Sequence, residues 1–281
     1  MPKVHTNGID IHYETSGAGP PLLLIAGVGY GLWFWHKIVP KLAEHFQVIT
    51  FDNRGAGQTD KPDGPYTVPM MAADTAGLLD ALGVQGAAVL GHSLGGYVAQ
   101  ELALSRPELV DQLILAATNH GGPNAIPITP QALEVLTNRE GDPLELIRRG
   151  IAIAAAPGFA ERQPEVAQEL LEYRLTNPAP PAQYQAQVMA GAAMITTSYE
   201  GRLPEIQVPT LILFGEHDKV VPPGNAELLA NNIAGAQVRI LAGVGHIFPV
   251  EDPDATTAAL LDFLTESSQH VPVGHPEARK C

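Results

Sequence analysis

Gly91-His92-Ser93-Leu94-Gly95 constrains this chain more than any other stretch, because it joins an apolar run directly to a helix-like segment. Ala87-Ala88-Val89-Leu90 reads as a short buried strand, and Leu94, Val98 and Leu102 fall on one face of the helix that follows. A turn this sharp between strand and helix strains the backbone at its central residue. It also leaves no room for side chains two positions to either side, which is why glycine stands at 91 and 95. The serine it exposes, Ser93, is a candidate nucleophile. The bland alternative, a tightly packed glycine turn, lacks a reason for the strand-turn-helix context.

Other short apolar runs place this unit in a larger pattern. Leu22–Ala26 and Val48–Phe51 are separated by a helix-like stretch with Ile38, Leu42 and Phe46. A second helix is expected from Thr67, with Pro69 in its first turn, to just before Gly83. Further strands are expected at Leu113–Ala116, Thr210–Phe214 and Val238–Leu241, and a hairpin around Asn7-Gly8. The alternation predicts an α/β fold: a mainly parallel central sheet with helices on both faces.

Between about Asn119 and Leu203 the alternation stops, and helix-like stretches such as Pro130–Leu136 and Pro164–Leu175 are separated by proline and glycine. The core pattern resumes at Pro209, so this stretch interrupts one domain instead of following it. The expected organisation is a core in two parts, 1–120 and 203–267, with a helical cap insertion at 121–202. Residues 268–281 show no periodicity and are expected to form a disordered tail. In the insertion, Ile126, Ile128, Leu133, Phe159, Met189 and Met194 are each open between facing a pocket and packing helix on helix.

Composition narrows the partners. Thirty acidic against sixteen basic residues give a net charge of −14, which argues against nucleic acid or an anionic membrane surface. The most apolar stretch, Leu22–Trp35, is broken by Gly27, Gly29 and Gly31 and is too short to cross a bilayer. The first residues lack an apolar core of signal-peptide length, so the chain reads as leaderless and the expected location is the cytoplasm. The single cysteine, Cys281, allows neither a disulfide framework nor a thiolate metal cluster. No metal is expected, since His5, His12, His36, His45, His120, His270 and His275 lack partners at ligand spacing. Monomer and homodimer both remain open.

A serine hydroxyl is a weak nucleophile near neutral pH and needs a base, which in turn needs an orienting carboxylate. Asp218 follows the strand ending at Phe214, and His246 follows the next strand within Gly243-Val244-Gly245-His246. Loops at the carboxyl ends of neighbouring strands would bring both towards Ser93. Glu216 and His217 are rivals for the acid and base, and His92, next to the nucleophile, is expected to point elsewhere. The order serine, acid, histidine is the one seen in α/β-hydrolases.

With these motifs, the Phe51-Asp52-Asn53-Arg54-Gly55-Ala56-Gly57 turn and the Glu251-Asp252-Pro253 that follows His246, the chain resembles the α/β-hydrolase fold family. Within it, the likeness is to the capped branch of 3-oxoadipate enol-lactonase-like hydrolases. The resemblance implies a catalytic triad of Ser93, Asp218 and His246 and an oxyanion hole made by the backbone N–H groups of Val28 and Leu94. Where the family often has His-Gly before that first donor, this chain has Ala26-Gly27, and in this it resembles enol-lactonase-like sequences, in which that histidine is absent, more than the carbon-carbon bond hydrolases. Trp33, Tyr30 and Phe248 are candidates for lining a substrate pocket.

Gly27-Val28-Gly29-Tyr30-Gly31 with Asp52 also invites a dinucleotide reading. The third glycine of that pattern falls at Leu32, and Trp33, Phe34 and Trp35 crowd the phosphate position, so no cofactor is expected. The leading expectation is hydrolysis of a small-molecule carboxylic ester or lactone through an acyl-enzyme. The alternatives are carbon-carbon hydrolysis of a β-diketone or vinylogous ketone, cofactor-free perhydrolysis or oxygenation, and a ligand-sensing protein that keeps the pocket.

Overall fold

The computed structural model describes residues 2–268. Asn7 and Gly8 both take positive φ, 49° and 77°, and close the expected hairpin between β1 (Lys3–Thr6) and β2 (Ile9–Ser16). The remaining strands are β3 (Pro21–Ile25), β4 (Gln47–Phe51), β5 (Ala87–His92), β6 (Val110–Ala116), β7 (Thr210–Gly215) and β8 (Gln237–Leu241). All belong to one eight-stranded sheet in the order β1-β2-β4-β3-β5-β6-β7-β8. From β4 to β8 every pairing is parallel, whereas β2 pairs antiparallel with β1 and β4.

The period-two alternation of the buried strands sorts side chains into two cores. Leu22 and Leu24 of β3 share one with Trp35, Ile38, Leu260 and Phe263, so this face is covered by α1 (Val39–Leu42) and by a C-terminal helix. Leu23 and Ile25 face the other, with Met71 and Leu78 of α2 (Val68–Ala81) and Val98 and Leu102 of α3 (Leu94–Ser105). Thr67 starts α2 by accepting the Met70 N–H on its hydroxyl at 3.2 Å, and the chain turns away at Gly83, φ 68°.

Between β6 and β7 lie α4 (Pro130–Thr137), α5 (Pro143–Ala154), α6 (Phe159–Arg162), α7 (Pro164–Thr176) and α8 (Pro181–Ala192), with no named strand. A single bridge, Gly121 to Ser198, ties the two ends of this segment together, so it leaves and rejoins the sheet at one place. After β7 come α9 (Asn225–Ala230), α10 (Phe248–Glu251) and α11 (Pro253–Ser268). Apart from Ser268, which ends α11, the tail expected at 268–281 lies outside the described residues. Among the described residues no helix is long and apolar enough to cross a membrane.

The strand order sets where a ligand can sit. The chain passes from β3 to β4 on one side and then returns across β3 to β5 on the other. The loops leaving β3 and β5 therefore diverge at their carboxyl ends and open a crevice between them.

Candidate active site

Ser93 sits at that crevice, one residue beyond β5 and as the N-cap of α3, with φ 56° and ψ −119°. For a residue with a Cβ this conformation costs about 1–3 kcal/mol, and the packing around it holds the chain there. The Ser93 N–H donates to Ala116 O at 2.9 Å, and its carbonyl accepts the Gly96 N–H at 2.9 Å. The flanking glycines are required by contact: a Cβ on Gly91 would overlap Gly95 O, and one on Gly95 would overlap Ile25 O. A Cβ on Gly27 would come within 3.0 Å of the Ser93 Cβ.

Asp218 and His246 meet. The His246 Nδ1–H donates to Asp218 Oδ2 at 2.7 Å, with both residues buried. The other carboxylate oxygen, Oδ1, accepts the N–H groups of Val220 and Val221, each at 2.8 Å, so the carboxylate cannot rotate without losing three bonds. With its proton on Nδ1, the imidazole keeps a lone pair on Nε2. Ser93 Oγ and His246 Nε2 are not hydrogen-bonded to each other; such contacts commonly tighten only around a substrate. Glu216 and His217 stand aside, half-exposed, in a loose 3.8 Å pair.

His92 does point elsewhere, and it has work to do there. Its Nε2–H donates to His246 O at 2.8 Å and its ring lies 4.7 Å from the His246 ring, centroid to centroid. Burial holds this imidazole well below the usual histidine range, and the neighbouring His246 pushes the same way. The His246 loop is fastened a second time from α10. Glu251, 3% exposed, accepts Gly245 N–H on Oε1 at 2.8 Å and Ala156 N–H on Oε2 at 2.7 Å, while His246 N–H donates to Ala154 O at 2.7 Å. Burial pushes the Glu251 carboxyl up, and the two N–H groups oppose that shift.

A cavity of about 240 Å³ opens beside Ser93. Val28 and Leu94 line it, and their N–H groups donate to nothing among the described residues. The remaining wall is mostly apolar, with Ile128, Leu136, Val188, Met194 and Val221, and none of the lining side chains is charged. Tyr97 supplies one of the few polar groups, and its hydroxyl donates to Asn119 Oδ1 at 2.6 Å. Ile126, Leu133 and Ile195 line the cavity and are 38%, 46% and 64% exposed, so they form its rim.

The aromatic candidates lie elsewhere. Tyr30, Trp33 and Phe248 are absent from the cavity wall and pack in the core behind it. Trp33 stacks on Tyr173 of α7 at 5.3 Å, Tyr30 lies 4.5 Å from Phe34, and Phe248 is 6.0 Å from the His92 ring. For Trp33 the reason is the short 3-10 turn Leu32–Trp35, which aims its rings into the core; Tyr30 lies ahead of that turn and packs against the same core, and Phe248 is buried at the start of the helix Phe248–Glu251. Of the six residues left open in the helical segment, Ile126, Ile128, Leu133 and Met194 line the cavity. Phe159 is core, and Met189 is 56% exposed.

The glycine-rich turn after β3 is held from the β4 loop. Asn53 Nδ2 donates to Ala26 O at 2.8 Å, and Asp52 Oδ1 accepts Leu32 N–H at 2.8 Å. Asp52 Oδ2 takes the Gln58 N–H and faces His12 Nδ1 at 2.9 Å, so this carboxylate is spent inside the chain and not offered to a ribose. Arg54 is structural as well, paired with Asp74 through two bonds of 2.8 and 2.6 Å. Sequence reasoning assigned no role to Glu251, Gln187 or Arg174. Glu251 stood within a quoted motif, but the other two lie in helices with no local signature.

Comparison with known proteins agrees with this architecture. A family model described as the alpha/beta hydrolase fold matches residues 20–253. A protein named "Putative carbamate hydrolase RutD" from Azorhizobium caulinodans is 34% identical over 96% of this chain and 100% of its own length. Among solved structures, the enol-lactonase from Burkholderia xenovorans LB400 superposes with a TM-score of 0.79 at 28% identity, covering 94% of this chain and 100% of that one. A thermophilic esterase from Thermogutta terrifontis superposes at 0.81 with 30% identity, covering 95% and 99%. Strand order, the turn at Ser93 and a family match spanning most of the sequence lead to one assignment: the chain belongs to the alpha/beta hydrolase fold family.

Proposed function

We propose that this protein is a serine hydrolase that cleaves a small carboxylic ester or lactone through an acyl-enzyme, with the helical segment 121–202 as a cap over the site. The observation that carries the reading is a strained Ser93 at an apolar cavity that Val28 and Leu94 also line, their N–H groups without a partner among the described residues, together with a histidine oriented by the Asp218 carboxylate.

In this reading Ser93 Oγ attacks the carbonyl carbon while its proton passes to His246 Nε2. Asp218 stabilises the imidazolium through the Nδ1–H bond. Negative charge on the former carbonyl oxygen is held by the N–H groups of Val28 and Leu94. Collapse breaks the bond to the leaving alkoxide, which takes the proton from His246. Water then adds to the acyl-Ser93 carbonyl with His246 as base, and the carboxylic acid departs. A lactone follows the same steps, with acid and alcohol remaining in one molecule. The names carried by the lactonase and esterase neighbours support the ester reading, and that of the carbamate-named relative adds one competitor to the test.

The test is a panel of esters of increasing acyl length, lactones and carbamates with the wild-type protein beside Ser93→Ala, with covalent labelling by a fluorophosphonate read as intact mass. Ester or lactone turnover is expected, with one label on the wild type, none on Ser93→Ala, and a loss of kcat on the order of 10⁴-fold or more. Unchanged hydrolysis by Ser93→Ala would overturn the reading. Carbamate turnover without ester or lactone turnover would replace the substrate class.

A further inference from the structure

The turn that carries Val28 is anchored at its ends by the core, through Asn53 and Asp52, but at its middle by the cap. Gln187 of α8, 1% exposed, accepts the Gly29 N–H on Oε1 at 2.8 Å, and its Nε2 donates to Arg54 O at 2.8 Å. Arg174 of α7 donates to Gly29 O at 3.0 Å, with its guanidinium 4.5 Å from the Tyr30 ring centroid. The ring of Tyr184, also on α8, occupies the space beside Gly29: a Cβ there would come within 2.8 Å of it, at φ +70°. Both peptide groups flanking Gly29 are therefore gripped by side chains of the cap, one and two peptides downstream of the one that carries the Val28 N–H.

We propose that Gln187 is a positioning residue for the oxyanion hole, seconded by Arg174, and that the hole is complete only while α7 and α8 are seated on the core. The inference rests on the serine-hydrolase reading above. The physical argument is the cost of the alternative. Losing the Gln187 contact frees the Val28–Gly29 peptide, and with it the backbone torsion next to the Val28 N–H, and strands a buried donor and a buried amide together. Gln187 matches the task because one side-chain amide both accepts from Gly29 and donates to Arg54, so the cap, the oxyanion turn and the β4 loop share one planar group.

The experiment uses the full chain and the best ester from the panel. Two ketones of the same shape serve as inhibitors: a trifluoromethyl ketone, to whose carbonyl Ser93 Oγ adds to leave an oxyanion, and its methyl ketone, which binds without that addition. Gln187→Leu is expected to lower kcat about 10²-fold with KM within a few-fold. It should weaken the trifluoromethyl ketone by the same factor as kcat/KM, leave the methyl ketone unchanged, and keep the acid limb of the pH–rate profile in place. Gln187→Glu, which retains the acceptor, should lose less. Arg174→Met should show the same signature at a smaller magnitude, and together with Gln187→Glu it carries the test if Gln187→Leu does not fold.

Values of kcat and trifluoromethyl ketone affinity within twofold of wild type would overturn the proposal. So would equal losses for both ketones, which would mean a collapsed pocket. If the wild type shows no Ser93-dependent turnover or labelling, the functional reading fails and the proposal with it; if only the Gln187 and Arg174 variants behave as wild type, the reading stands and the proposal alone falls.

Discussion

Asp218 shows how firmly a single residue can fix a proton. Its Oδ1 is committed to two backbone N–H groups and its Oδ2 to His246. In Asp218→Asn the amide oxygen must stay with Val220 and Val221, which turns the NH₂ towards His246 Nδ1 and forces the imidazole proton onto Nε2. That tautomer has no lone pair for Ser93, so kcat is expected to fall about 10⁴-fold with folding retained, as steady-state kinetics and circular dichroism would report. His92 gives a second expectation. Its folded-state pKa is depressed, so the unfolded chain takes up a proton below about 6.5 that the folded chain refuses. Stability is therefore lost as pH falls through that window, by about 1.4 kcal/mol per pH unit for one proton. Glu251, with its raised pKa, contributes in the opposite sense. The wild type and His92→Gln should then differ in slope by up to that one proton, in urea unfolding followed downward from pH 6.5. Ser93, Asp218 and His246 were legible as candidates because local punctuation surrounds each of them. Gln187 was not, since its partner Gly29 is 158 residues away and a glutamine in a helix carries no periodic signal.

At the scale of elements, β3 to β7 were readable because buried parallel strands are short apolar runs, and each strand expected from such a run is present; the expected β8 is present too, but as an exposed edge strand interrupted by Arg239. The Leu32–Trp35 turn was less readable. Three aromatic residues in sequence look alike as pocket wall or as core, and only the 3-10 geometry decides that Trp33 stacks on Tyr173. The helical segment was recognisable by what it lacked, a buried strand, while the docking of its helices depends on polar contacts with distant backbone. One of those helices offers a clean test of propensity. Gly150 sits inside α5, and a Cβ there would meet nothing within 4 Å. Gly150→Ala is expected to raise stability by about 0.5–1 kcal/mol, read from chemical denaturation, with kcat unchanged.

Across the whole molecule, charge and cavity divide their roles. The chain carries a net charge of −14, yet none of the side chains lining the cavity beside Ser93 is charged. On the proposed reading an ester would enter such a room neutral, and its acid half, once released, would ionise. Walls that would accept the acyl group of a substrate offer a carboxylate no charged partner, and only the N–H groups of Val28 and Leu94 for its oxygens, so on that reading it is expected to leave for solvent. The free acid of the preferred ester should inhibit at concentrations at least about tenfold above the KM of that ester, as full progress curves would reveal. Ionisation of the product would then act as a one-way valve, clearing the site for the next turnover without any moving part.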